Sequence, residues 1–132
     1  MAIELKLLAY TLILALVHIM AAIQAKTKQY GTHWNTGARD EPMPPLAPLP
    51  ARLARAQANL FETLPLFAAA VLAVVVSGRT GFLSELGAWM YLIGRVVYLP
   101  LYALGVPVVR SIVWMIASVG LLLELWALLC GP

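Results

Sequence analysis

Nine side chains able to make strong polar contacts fall at helical spacing within three stretches of an otherwise apolar chain. Arg52, Arg55, Asn59 and Glu62 are three, four and three residues apart, which places them on one stripe of a helix. Arg95, Tyr98 and Tyr102 form a second stripe by the same spacing, and Arg110 and Ser111 open a third apolar stretch. Lys26 and Lys28 close the stretch that comes first. Guanidinium groups next to a helix N-terminus suit an anionic ligand with several carboxylates or a phosphate, because arginine binds such groups bidentately and the helix dipole adds to the attraction. Asn59 and Glu62 add an amide and an acceptor for an ammonium or amide group, while Tyr98, Tyr102 and Ser111 offer hydroxyl donors. The set suits a polar, zwitterionic, net-anionic molecule such as a small peptide. Metal chemistry has no ligand cluster to work with, since His18 and His33 are isolated and the sole thiol, Cys130, lies near the end of the chain. No glycine-rich phosphate loop and no Ser/His/Asp arrangement is present.

These residues are positioned by membrane helices. Of 132 residues, 62% are hydrophobic and 11% charged. A soluble domain of this size would have to expose much of that apolar surface. Four segments of about twenty residues, long enough to cross a bilayer core, run over Ile3–Ala25, Ala51–Ser77, Phe82–Leu104 and Pro107–Cys130. The first lacks a strongly basic start and is too long in its apolar part for a signal peptide, so it is read as a span. The expected fold is an all-α, antiparallel four-helix membrane bundle, a single domain over 1–132. Short turns, Ser77–Gly81 and Gly105–Pro107, force antiparallel neighbours. The long connection, about 26–50, carries Pro42, Pro44, Pro45, Pro48 and Pro50, which predict an irregular segment. Lys26, Lys28, Arg39, Arg52, Arg55 and Arg110 lie on its side, against Lys6 and Arg79 opposite, so the positive-inside bias places that loop in the cytoplasm. The net charge of +3 then speaks for orientation and headgroup contact, not nucleic-acid binding.

Antiparallel threading brings every residue of the polar set to the cytoplasmic half. Glu62 and Arg95 both sit roughly 14–16 Å in from that face at 1.5 Å per residue. An unpaired charge at that depth is expensive, which predicts a buried Glu62–Arg95 ion pair between the second and third spans. Such a pair by itself would only fasten two helices. Lys6 and Glu124 are candidates for a pair at the opposite end, and His18 for a packed, hydrogen-bonded core histidine.

The run from Arg55 through Asn59, Glu62 and Pro65 to Phe67 resembles the second-helix signature of the membrane-associated proteins in eicosanoid and glutathione metabolism (MAPEG). Gly94-Arg95-Val96-Val97-Tyr98, Tyr102 and Arg110-Ser111 resemble the family's later elements in order and spacing, and Trp34 to Asp40, with Asn35 and Arg39, resembles its cytoplasmic loop. The likeness extends over essentially the whole chain and is nearest to bacterial members of the microsomal glutathione transferase type. It implies a homotrimer in the bacterial inner membrane, binding glutathione as co-substrate between neighbouring subunits near the cytoplasmic face, with no metal. It further implies that Arg55, Asn59 and Glu62 bind glutathione together with Arg52, Lys26 and Lys28. Tyr98 and Tyr102 would line the site, Arg110 would stabilise the thiolate, and Ser111 would donate a hydrogen bond to it. Arg95 would hold Glu62. The activity implied is detoxifying transfer of glutathione to an apolar electrophile, or peroxidase action on lipid hydroperoxides. The second reading is a non-catalytic lipid-binding or partner-activating membrane protein of the same fold: the family contains a non-enzymatic activating member, and Ala58 stands where some glutathione-using members carry a further arginine. A small transporter is a third reading, disfavoured because no pair of broken helices occupies matching halves.

Overall fold

The computed structural model describes residues 1–131 and folds them into five helices: α1 (Ile3–Tyr30), α2 (Thr32–Thr36), α3 (Pro48–Val76), α4 (Phe82–Ala103) and α5 (Val108–Cys130). There is no strand among the described residues. All but α2 are long and apolar enough to cross a membrane, so the chain is a multi-pass integral membrane protein.

Two boundaries differ from those expected. α1 continues five residues past Ala25, through Lys26 to Tyr30, because hydropathy marks where lipid ends and not where hydrogen bonding does. It stops at Gly31, whose φ of 96° is open to glycine but strained for other residues. α3 begins at Pro48, inside the stretch assigned to irregular structure. Pro48 and Pro50 fall in its first turn, where backbone N–H groups have no helical acceptor and proline removes nothing.

α1 packs mainly on α3, and α4 on α5, with the pairs joined across α1–α4, α3–α4 and α3–α5. Glycine permits the α4–α5 crossing. A Cβ on Gly120 would stand 2.5 Å from the Gly87 carbonyl oxygen, one on Gly87 would stand 2.6 Å from that of Gly120, and one on Gly94 would meet Ala117 Cβ at 2.9 Å. In lipid, where the hydrophobic effect supplies no attraction between helices, such close backbone approach is what holds a pair together. Gly120→Val should push the two helices apart. Overpacking of this kind costs about 1–3 kcal/mol, and a lowered unfolding temperature in mild detergent would register it; an unchanged temperature would refute the crossing.

The interior of the bundle is mixed. Phe67 of α3 stacks on Tyr91 of α4 with ring centroids 4.0 Å apart, and the Tyr91 hydroxyl shares a 2.8 Å hydrogen bond with that of Thr63. Leu7, Leu60, Val71 and Ala88 fill the space around them. His18 is buried here as expected, but neither ring nitrogen has a hydrogen-bond partner in the protein, so the anticipated hydrogen bond does not form. At the end away from the long connection, the Lys6–Glu124 pair is likewise absent. Glu124 is fully buried against the backbone around Gly87 and takes no side-chain partner, while Lys6 is exposed. The buried acceptor on α1 is Glu4, which is bonded to the Ser84 hydroxyl. The spacing of α1 explains the outcome: Glu4, Leu7, Leu8 and Thr11 share its inner face, and Lys6 falls between them on the outer one.

Candidate functional site

α3, α4 and α5 border an open cavity of about 440 Å3 at the end of the bundle that carries the long connection. Asn59, Tyr98, Tyr102, Arg110, Ser111, Trp114 and Met115 line it.

The cavity is organised by a chain of contacts that starts in the core. Arg95 is only 1% exposed, and its Nη1 donates a 2.8 Å hydrogen bond to Asn59 Oδ1. Its guanidinium lies 4.3 Å from the ring centre of Tyr98, also buried. Tyr98 meets Tyr102 edge-on at 5.5 Å. Tyr102 gathers two further cations: Arg110 lies 4.6 Å over its ring, and Arg55 lies 5.9 Å from the ring while its Nε donates to the hydroxyl at 3.2 Å. An aromatic face attracts a cation by about 0.5–2 kcal/mol, which offsets part of the repulsion between guanidinium groups brought close to one ring. The product is a pair of arginines from different helices, held around a tyrosine at the edge of a cavity.

Six of the residues singled out in the sequence, Arg55, Asn59, Tyr98, Tyr102, Arg110 and Ser111, are thus brought together. Others are not. Arg52 packs its guanidinium against Gly105 in the α4–α5 turn, where a Cβ would stand 2.9 Å from Arg52 Cζ. Lys26 and Lys28 lie on the last turns of α1, outside the cavity lining. Glu62 is exposed on the outer surface of the bundle.

The Glu62–Arg95 pair does not form within the chain. Nη1 of Arg95 bonds Asn59, and its Nε and Nη2 have no hydrogen-bond partner. The helix wheel gives the reason. Residues three apart differ by about 60° around a helix, so when Asn59 faces α4, Glu62 is turned toward the rim of that interface. Double-mutant cycles should separate the two pairings. Asn59→Ala with Arg95→Met should couple by about 0.5–3 kcal/mol, and Glu62→Gln with Arg95→Met by less than that. Coupling in the second cycle alone would reverse the assignment.

Trp114 and Met115 are the members that sequence reasoning missed. The signal was present: each stands four residues beyond Arg110 and Ser111, hence on the same helical face. An apolar residue in a membrane span carries no mark of its own, so spacing alone does not single these two out. They give the cavity an apolar part beside its cationic one. No group of His, Cys, Asp and Glu able to hold a metal occurs among the described residues, and Cys130 is a free, exposed thiol at the end of α5.

The model of one protein family, described as the MAPEG family, matches residues 7–130. No curated protein and no solved structure matches the chain.

Proposed function

The chain belongs to the MAPEG family of membrane proteins in glutathione and eicosanoid metabolism, and from that premise we propose that it is a glutathione-dependent transferase acting on apolar electrophiles, with peroxidase action on lipid hydroperoxides as a related activity. The observation that carries the proposal is the cavity's composition: two guanidinium groups converge on Tyr102 in a space whose other lining residues include Trp114 and Met115. One part suits the carboxylates and thiol of glutathione; the other suits an apolar molecule entering from the bilayer.

In this reading Arg55 and Asn59 bind the peptide's polar groups, with Tyr98 and Tyr102 as walls. Arg110 faces the sulfur. A nearby guanidinium favours the charged form of a thiol and so raises the thiolate fraction, and the thiolate is the attacking species. Ser111 donates a hydrogen bond to it. In transfer, sulfur forms a bond to an electrophilic carbon and the displaced electron pair leaves with its group or takes up a proton. In peroxidase action the thiolate attacks the terminal oxygen of the hydroperoxide, the O–O bond breaks and the alkoxide leaves as an alcohol after protonation; the sulfenic acid so formed reacts with a second glutathione, which gives the disulfide and releases water.

Glu62 supports assembly of several copies, three by the family reading. An ionisable side chain on the lipid-facing surface of a span is costly, and burial against a neighbouring protomer removes that exposure. Glutathione would then bind between subunits, with Glu62, Arg52, Lys26 and Lys28 reaching it from a neighbour or at the margin. In this reading the end that carries the long connection faces the cytoplasm of a bacterial inner membrane, and the excess of basic residues around that connection supports it.

Calorimetric titration of the detergent-purified protein with glutathione, followed by an ultraviolet thiolate scan of the complex, tests the reading. Saturable binding with a thiolate band at neutral pH is expected. Binding without the band would favour a non-catalytic, partner-activating role, and no binding would defeat the proposal.

A further inference from the structure

The end of α1 and the segment after it border a second, half-open cavity, of about 310 Å3, that shares no lining residue with the one between α3, α4 and α5. Tyr30, Trp34, Arg39, Asp40, Glu41 and Met43 are among its walls.

These walls are pinned. The Gln29 side chain accepts a hydrogen bond from the Ala47 N–H at 2.8 Å and donates to the Pro45 carbonyl at 3.1 Å, and the Tyr30 hydroxyl donates to the Pro44 carbonyl at 2.5 Å. Asn35 donates to the Thr27 hydroxyl at 3.0 Å and accepts from Arg39 through both its side-chain and backbone oxygens. Arg39 is thereby tied back to α1. Its guanidinium also lies 4.5 Å over the Trp34 ring.

Arg39 has a φ of 61°, the one non-glycine residue with positive φ among those described. A long side chain in that region is strained, and such placements concentrate at binding sites, where the surrounding structure enforces them. Its hydrogen bonds to Asn35 use Nε and Nη2, which leaves Nη1 for a ligand. Asp40 and Glu41 follow directly, both exposed.

The level of the cavity narrows the choice of ligand. α1 has 28 residues, about 42 Å at 1.5 Å each, against a hydrocarbon core of about 30 Å. Its last turns, with Tyr30, therefore emerge among the lipid headgroups, a level that aromatic residues such as Tyr30 and Trp34 favour.

We propose that this cavity binds a phosphate–primary-ammonium headgroup, Arg39 taking the phosphate and Asp40 and Glu41 the ammonium. Arginine held by an amide and an aromatic face is suited to phosphate. A headgroup carrying only negative charge would meet the two carboxylates unfavourably. A quaternary ammonium has no N–H to give the two carboxylates, whereas a primary ammonium donates hydrogen bonds to them, and Arg39 already takes one face of Trp34.

Native mass spectrometry of the full chain in mild detergent, titrated with short-chain phosphatidylethanolamine, phosphatidylcholine and phosphatidylglycerol, tests this without reference to glutathione. The ethanolamine lipid should bind about tenfold more tightly than the other two. Arg39→Asn, which tolerates positive φ, should weaken binding of all three. The double substitution Asp40→Asn and Glu41→Gln should abolish the preference while leaving phosphate affinity; should Arg39→Asn fail to fold, this variant of exposed side chains carries the test. Equal binding of the three lipids, or a preference that survives both variants, overturns the proposal. Soluble glycerophosphoethanolamine competing at concentrations similar to the lipid assigns the site to a free zwitterion, and competition only at far higher concentration assigns it to the bilayer. No binding of either form refutes it.

Discussion

Arg110→Ala should lower glutathione-dependent turnover by about 10²-fold, the scale on which removing one charge-stabilising donor acts, with a much smaller change in KM for glutathione. Without the guanidinium, the bound thiol's pKa should return toward the free-thiol value near 8.5, so the pH–rate limb should move to higher pH. Arg55→Ala supplies the contrast. It removes a contact to the peptide that is the same before and during reaction, so KM should rise while turnover holds. The split between them is the sensitive readout, because both arginines touch the same ring and a merely structural role would move both constants together in each variant. An Arg110→Ala protein with full turnover and an unshifted pH profile would move the chain to the non-catalytic reading.

Tyr102 offers the second large effect and a way to test the geometry itself. Tyr102→Leu removes the surface on which Arg55 and Arg110 converge, and the two guanidinium groups lose their common anchor. Turnover and KM should both deteriorate, by about tenfold or more each if cation–π contacts of 1–2 kcal/mol are lost with the placement they impose. Tyr102→Phe keeps the ring and gives up only the 3.2 Å hydrogen bond from Arg55, so it should affect KM mildly and turnover little. Steady-state kinetics on the two variants decides the matter: similar damage from Phe and Leu would mean that the hydroxyl, and not the ring, is what the site requires.

The sequence by itself determined the class, the number of spans and the level of the polar residues. Those follow from one-dimensional quantities: apolar length against bilayer thickness, turn residues between runs, and the antiparallel threading that short turns compel. Spacing also put Arg55 with Asn59, and Tyr98 with Tyr102, on common faces, because the helical period is the same in every environment. Partner choice across helices is different in kind. It depends on how far each helix is rotated about its own axis, and a rotation of about 60° separates Asn59, which takes Arg95, from Glu62, which the sequence had paired with it. The same limit hid the loss of Arg52 to the α4–α5 turn and the exclusion of Lys6 from Glu124. It also hid Trp114 and Met115, since in a membrane span apolar side chains look alike until packing decides which face a lipid and which face a cavity. That packing rests on Gly87, Gly94 and Gly120, whose missing side chains set how closely α4 and α5 approach and so fix where Arg110 stands relative to Tyr102.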